Sequence, residues 1–469
     1  MALKSITFTV PKTTPAGTYR IYGGYLDVTH RSGGYEWLDK YAKFYRMEIS
    51  DLTITVLKGD IETVEDLIDA IGANVTLDSE AAITAAKSAY DALSDEDKAL
   101  VDADKVDALT AAIIRLNQLK HADLMANLDT IYKTTGDFMA TLGTPTVNST
   151  GGEWMVIGLA RSGRTVPAGY YDNVVEYVKA KADANERLHP AKVTDNARVI
   201  LALTAIGKDV TNVGGHNLLK GLDSMDYVQT QDINGPIFTL IALDSHNYPT
   251  MGDVTREKLI QVILDAQLPD GGWNLSGENA DPDMTAMAIQ ALAPYYKTNE
   301  TVKAAVDKAL EALSALQRTD GGFGSWGTVN SESCAQVIVA LTALGIDPTA
   351  DSRFVKNGHT VLDALAGFYV TGGGFRHTAG GERNDMATEQ GYYALASYYR
   401  FLNGQTRLYD MSDVAIQTGG TSGGDNSGNG TNNGGTPATG DTGVLVWAIA
   451  LPVTILAAAF VLKRKEREA

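Results

Sequence analysis

The chain has 469 residues, with 57 acidic against 39 basic side chains and a formal charge of −18. That length exceeds one ordinary core and implies about three folded units, while the acidic excess argues against nucleic acid and anionic lipid as partners. Its one cysteine, Cys334, excludes an intramolecular disulfide framework and leaves too few thiolates for a cysteine-built zinc site.

Residues 1–58 read as a partial β-structured domain. The stretches 4–10, 18–28 and 45–57 are rich in Thr, Ile, Val and Tyr with near-alternating polarity, and Pro15-Ala16-Gly17 supplies a turn. These are too few strands to close a sandwich, and the first ten residues lack the charged and apolar regions of a signal peptide, so an upstream portion is expected to be missing. Residues 59–119 change to helical period, with Val64, Leu67, Ile68 and Ile71 on one face, then 82–93 and 105–119, and a cap at Ser94-Asp95-Glu96-Asp97. This segment resembles the small three-helix modules strung along bacterial surface proteins, which implies a spacer.

From 120 to 405 amphipathic helices alternate with more uniformly apolar ones at a spacing of about 40 to 50 residues, the signature of stacked helix pairs. The apolar set covers 153–161, 195–206, 235–243, 282–294, 331–344 and 385–399; its amphipathic partners cover 123–142, 169–182, 215–225, 253–267, 301–317 and 353–369. Helices apolar all round belong inside and one-sided helices outside, so roughly six pairs are predicted to close into a double-layered, mainly α barrel, an α6/α6 toroid. Gly-rich turns lead into the inner helices at Gly151-Gly152-Glu153-Trp154, Asp270-Gly271-Gly272-Trp273, Asp320-Gly321-Gly322-Phe323 and Gly372-Gly373-Gly374-Phe375. Glycine permits the left-handed backbone of a helix stop, and the aromatic after it can wedge between pairs.

The runs Gln267 to Trp273 and Gln317 to Phe323 resemble the QW-type repeats of the terpenoid cyclase and protein prenyltransferase superfamily, whose fold is an α/α-toroid with a central cavity. The same architecture occurs in animal cobalamin carriers and in complement-type thioester domains, so it selects no single function. In this arrangement the N-termini of the inner helices meet at one mouth. The residues predicted to reach it are Trp154, Asp195, Asp281, Asp283, Trp326, Glu332, Arg376, His377, Asp385 and Glu389.

Asp281-Pro282-Asp283-Met284-Thr285-Ala286 resembles the acid motif of class II terpene cyclases, with Met284 where the last aspartate belongs, which implies Asp281 and Asp283 as candidate catalytic residues. Both also fit a purely structural role, because Asp is a preferred helix cap. Glu332-Ser333-Cys334 matches the first two zinc ligands of prenyltransferases, but Thr388 falls where their histidine belongs. Three ligands are needed to hold a catalytic zinc, so no metal is expected, with His377 as the one available substitute. Glu389-Gln390 lacks the cysteine of a thioester. The stretch 283–288 resembles a helix of the cobalamin carriers and implies a corrinoid or similarly bulky ligand, although no cofactor is required. Trp273 and Trp326 suit either a ligand face or a wedge in the fold.

Residues 406–440 form a Gly-, Asn- and Thr-rich linker of a composition that cannot bury enough apolar area to order itself. It ends in Thr436-Pro437-Ala438-Thr439-Gly440-Asp441, followed by an apolar run at 444–462 and a basic tail within the segment 441–469, long enough to cross a membrane with the tail cytoplasmic. This order resembles the sorting signal of Gram-positive surface proteins, which implies a sortase joining Thr439 to the cell wall and an extracellular, anchored location. The sequence therefore reads as a displayed toroid acting as a non-catalytic binding or adhesion module for a bulky small molecule, glycan or protein. The alternatives are a divergent cyclase-like enzyme with Asp283 as general acid, and a structural spacer.

Overall fold

A computed structural model describes residues 17–21, 25–29, 44–48, 52–56 and 59–417. The chain divides into two compact units, 1–122 and 123–469. In the first, four short strands are described: β1 (Gly17–Ile21), β2 (Tyr25–Thr29), β3 (Phe44–Glu48) and β4 (Leu52–Val56). β1 pairs antiparallel with β4, Gly17 facing Val56, and β2 pairs with β3, Tyr25 facing Glu48. The runs predicted at 18–28 and 45–57 are thus each split into two strands. The run at 4–10 lies outside the described residues.

Helices α1 (Asp60–Asp69), α2 (Glu80–Ala92), α3 (Asp95–Lys98) and the first part of α4 (Ala103–Met139) follow. Ile61, Val64, Ile68, Ala86, Leu93, Val101 and Leu109 make their shared core, so the 3.6-residue pattern found its partners. Ser94 caps α3 by accepting from the Asp97 N–H at 3.1 Å.

The second unit takes the rest of α4 and then α5 (Trp154–Arg161), α6 (Tyr170–Lys181), α7 (Val193–Ala205), α8 (Met225–Val228), α9 (Asn234–Asp244), α10 (Arg256–Asp265), α11 (Pro282–Leu292) and α12 (Glu300–Leu316). A small hairpin, β5 (Gly324–Ser325) and β6 (Thr328–Val329), precedes α13 (Ser331–Ala343) and α14 (Val361–Gly367), and a second, β7 (Phe375–Arg376) and β8 (Arg383–Asn384), precedes α15 (Asp385–Leu402). The apolar helices are the inner layer: α5 packs on α7, α7 on α9, α9 on α11, α11 on α13, α13 on α15, and α15 returns to α5. The ring is closed. Every residue of α9 from Gly235 to Leu243 is buried, as expected of a helix surrounded by others. Outside, α10 lies against α9, α12 against α11 and α14 against α13.

Two outer elements depart from prediction. In place of a helix over 215–225 the chain makes a tight turn at Leu218–Leu222 and only the four-residue α8. Gly214 and Gly215 hold φ of 62° and 99°, and a side chain on Gly221 would strike the Asn196 amide and the Glu186 carbonyl, so the segment is pressed too close for a helix. Likewise 353–369 reduces to a short turn and the seven-residue α14. The packed chain also runs past the boundary drawn at 405, because Leu408 and Met411 are buried and redeem a segment whose composition alone reads as linker. No helix among the described residues is long and apolar enough to cross a membrane; the predicted span at 444–462 and Thr439 lie outside the described residues.

Candidate functional site

Each later inner helix begins on the same device. Asp281, Asn330 and Asn384 cap α11, α13 and α15 by accepting from backbone N–H groups of the first turn. Four residues on stand Thr285, Cys334 and Thr388, which tie the helix to the aromatic after the glycine turn. Thr285 Oγ1 accepts from the Trp273 N–H at 2.9 Å and Thr388 Oγ1 from the Phe375 N–H at 3.0 Å, and the Cys334 thiol engages the Phe323 backbone. Cys334 is fully buried, and burial pushes its thiol up to about 12. Cysteine and threonine therefore occupy equivalent positions in successive repeats. No group of three metal-binding side chains occurs among the described residues.

Around α11 and α13 a carboxylate cluster forms. Asp281 Oδ1 accepts from the N–H groups of Asp283 and Met284, both at 3.0 Å, and its other oxygen takes the Ser325 hydroxyl. Glu332 meets His377 Nδ1 at 2.9 Å and accepts from Ser331 Oγ at 3.0 Å. Asp283 Oδ1 and the neighbouring Ser333 Oγ are both closed off from solvent, and the Ser333 hydroxyl acts on the Asp283 carboxyl. Burial raises the Asp283 carboxyl to about 6, helped by the charges of Asp281 and Glu332 and opposed by the Ser333 hydroxyl and His377.

A second cluster joins α5, α7 and α15. Glu389 is 1% exposed; its Oε1 accepts from the Gly151 N–H at 2.7 Å and its Oε2 has no partner. Burial, against the pull of that N–H and with the charges of Asp385 and Glu153 adding to it, lifts its carboxyl to about 8. Glu153, fully buried, is raised by burial although Arg198 Nε lies 3.3 Å from it. Asp195 also holds Arg198, at 3.1 Å.

Other predicted mouth residues separate. Trp154 is buried at the start of α5, its ring 5.9 Å from both Phe238 and Tyr393. Arg376 donates to the Tyr369 carbonyl at 3.2 Å, and Asp385 is exposed at the start of α15. Trp273 is the wedge, fully buried with its Nε1–H on the Ile263 carbonyl at 2.7 Å. Trp326 is its opposite, 87% exposed at the tip of the β5–β6 hairpin with φ of 52°.

Inside the ring, Trp154 of α5 packs on Phe238 of α9 and Tyr393 of α15, and a buried chain links Gln290 to Gln336 at 3.0 Å and Gln336 to Gln390 at 3.0 Å and Tyr393 at 2.6 Å. A hollow of about 300 Å³ lies between α10 and α12, lined by Gln261, Leu264, Thr301 and Lys308 and by none of the predicted mouth residues. Sequence reasoning missed Glu153, Ser325, Ser333 and the three glutamines; the recurring Asx cap was the available signal for the first turns.

Among known proteins, residues 215–384 match the family model described as Prenyltransferase alpha-alpha toroid domain. No curated protein matches the chain. Among solved structures, the fold is similar to ent-copalyl diphosphate synthase from Streptomyces platensis at 17% identity and a TM-score of 0.37, covering 74% of this chain and 86% of that one. It is also similar to a protein of Salmonella enterica serovar Paratyphi A described as a possible member of the GH105 family, at 12% identity and a TM-score of 0.28, covering 61% and 82%. The family match thus falls within the second unit, and the closed ring of that unit extends on both sides of the matched segment.

Proposed function

We propose that the toroid is a non-catalytic binding or adhesion module of a protein displayed on the Gram-positive cell surface. The observation that carries this is the packing of Trp154 on Phe238 and Tyr393 inside the ring, beside the glutamine chain: terpenoid chemistry needs a dry chamber where a flexible isoprenoid lies against the acid, and these rings and amides narrow the interior. The mouth remains as the place where a ligand meets carboxylates and an exposed indole. Display rests on the Thr436–Asp441 motif, apolar run and basic tail of the sequence, with sortase and the cell wall as partners. A bulky small molecule such as a corrinoid, a glycan or a protein are the ligand classes for such a surface, and none needs a metal.

One observation favours a second reading. Asp283 is half-buried at the start of α11 with a carboxyl raised to about 6, a value suited to a general acid near neutral pH, so a divergent cyclase would use this residue. Incubating the full chain with squalene and with geranylgeranyl diphosphate, and analysing extracts by mass spectrometry, separates the two. Unchanged substrate is expected; a cyclised product that disappears in Asp283→Asn overturns the binding reading. In parallel, a ligand present at about 100 times its Kd raises stability by roughly 2.7 kcal/mol, so screening hydroxocobalamin and wall glycans by thermal shift tests binding directly.

A further inference from the structure

We infer that Asn357 is a site of spontaneous modification, where asparagine converts to aspartate and isoaspartate without an enzyme and independently of any ligand at the mouth. Three asparagines precede a glycine among the described residues, at 234, 357 and 403. A glycine amide, bare of a side chain, is the backbone nitrogen best able to swing onto the preceding carboxamide. The structure separates the three. Gly235 is buried within α9, where an added Cβ would lie 1.8 Å from the Val228 carbonyl oxygen, and Asn234 Oδ1 is closed to solvent. Asn403 Nδ2 donates to the Tyr399 carbonyl at 2.8 Å and the Gly404 N–H to the Phe401 carbonyl at 3.0 Å, so both reacting groups are held. Asn357 and Gly358 are exposed, and nothing lies within 4 Å of the open side of the glycine. Neither the Asn357 carboxamide nor the Gly358 N–H is hydrogen-bonded among the described residues.

Asn357 and Gly358 form the loop of a tight hairpin, with φ of 51° and 80°. The Lys356 N–H donates to the His359 carbonyl at 2.9 Å and the His359 N–H returns the bond at 2.8 Å, so the peptide between Asn357 and Gly358 is the part of the turn that no bond holds. Asn-Gly is favoured in such a loop, yet its carboxamide is not needed there: the hairpin closed by Val213 and His216 makes the same reciprocal bonds, at 2.8 and 3.1 Å, around Gly214-Gly215. In the reaction the Gly358 amide loses its proton to hydroxide and its nitrogen attacks Asn357 Cγ. The N–Cγ bond forms, the Cγ–Nδ2 bond breaks, and ammonia leaves with a proton from water, closing a five-membered succinimide. Water then opens the ring, so the net change is ammonia replaced by water, with no oxidant or cofactor. Opening at Cγ gives aspartate; opening at the main-chain carbonyl of residue 357 gives isoaspartate, whose backbone runs through Cβ and Cγ and is one atom longer. A two-residue loop has no room for that atom while Lys356 and His359 keep both bonds. The hairpin is also pinned to α12, since Lys356 Nζ donates to Ser314 Oγ at 3.0 Å, Ser314 Oγ to the Arg353 carbonyl at 2.7 Å and Gln317 Nε2 to the Phe354 carbonyl at 2.9 Å. Conversion therefore loosens the outer layer at this repeat as the protein ages.

The test incubates the full chain for days at pH 7 and at pH 9, digests it with trypsin beside fresh protein, and compares the peptides by mass spectrometry. Trypsin releases the peptide 357–376, in which Asn357 is the sole side-chain amide. This peptide is expected to gain about one mass unit and to become a substrate of isoaspartyl methyltransferase, while the peptides holding Asn234 and Asn403 stay unchanged. The gain should be faster at pH 9, because the attacking nitrogen must shed its proton. Asn357→Gly, which copies Gly214-Gly215, should fold and keep its melting midpoint through the incubation, whereas the aged parent melts several degrees lower. Asn357 intact at the end of the alkaline incubation, or converting no faster than Asn234 and Asn403, overturns the assignment. An aged parent that has converted at Asn357 yet melts with the fresh protein overturns the loosening.

Discussion

Glu389 shows what a buried carboxyl does to a protein when its charge is not matched. Its single N–H partner, on Gly151, is outweighed by burial and by the acidic neighbours Glu153 and Asp385, so the folded carboxyl titrates at about 8 against an ordinary 4.5. The folded protein therefore keeps a proton that the unfolded chain has released, and the stability tied to it is complete below about pH 4.5 and lost as pH rises through about 8. Glu389→Gln retains the acceptor for Gly151 without the charge. Its stability should equal that of the parent near pH 4.5 and exceed it at pH 9 by on the order of 2 kcal/mol once relaxation and water entry are allowed for, read as a higher thermal midpoint. Parallel pH profiles for the two proteins would remove Glu389 as the source. The sequence placed Glu389, Asp283, Glu332 and His377 at one end of the barrel because helix phase fixes which residues begin each inner helix. It could not say that Trp154 turns inward or that Ser333 lies beside Asp283, since side-chain direction depends on neighbours far away in the chain.

At the scale of elements, the repeat was readable because every copy solves one problem, stopping an outer helix and starting an inner one. Gln267 and Gln317 are the part whose purpose only the fold reveals. Gln267 Nε2 donates to the Gly271 carbonyl of its own turn at 2.7 Å and to Ala305 in the next outer helix at 2.8 Å; Gln317 does the same to Gly321 at 3.0 Å and Phe354 at 2.9 Å. Each glutamine thus staples a turn to the following repeat. The failed outer helix at 215–225 was not readable, because apolar spacing signals helix while close packing against α7 decides otherwise. Packing distance also sets the cost of single atoms. A Cβ on Gly235, in α9, would lie 1.8 Å from the Val228 carbonyl oxygen, whereas one on Gly367, ending α14, meets nothing within 4 Å. Gly235→Ala should destabilise the toroid by roughly 2 to 4 kcal/mol through displaced backbone, and Gly367→Ala should be neutral or stabilising by about 0.5–1 kcal/mol. Chemical denaturation of both variants measures this, and equal midpoints would contradict the contact at Gly235.

For the toroid as a whole, the closing element is the segment after α15, which composition assigned to the linker. Leu408 and Met411 are buried, Tyr409 lines the small space at the C-terminal ends of α9 and α11 with Ile241 and Gln290, and the Met411 N–H reaches the Ser245 carbonyl at 2.7 Å. Beneath it Arg161, 4% exposed, donates to the carbonyls of Leu408, Arg407 and Asp410 and to the Thr406 hydroxyl, and Asp413 bridges Arg161 and Arg400 at 2.7 Å each. Two buried guanidiniums side by side need that carboxylate, which in turn is held below its ordinary range, chiefly by its bond to Arg161 acting against partial burial. The pH dependence is opposite to that of Glu389: the stability from Asp413 is present above the carboxylate range of the unfolded chain and is lost as pH falls through its depressed folded value. Asp413→Ala should cost roughly 2 to 3 kcal/mol near neutral pH, less than a fully buried pair because the carboxylate is partly open to water. Ending the chain at Asn403 should cost more, since it also exposes Leu408 and Met411 at roughly 1.5–3 kcal/mol each and strands both arginines. Melting a chain that ends at Gln417 beside one that ends at Asn403 decides whether the strap belongs to the fold: a large drop in midpoint for the shorter chain is expected, with Asp413→Ala between the two, and coincident melts would mean that the ring is sealed without it.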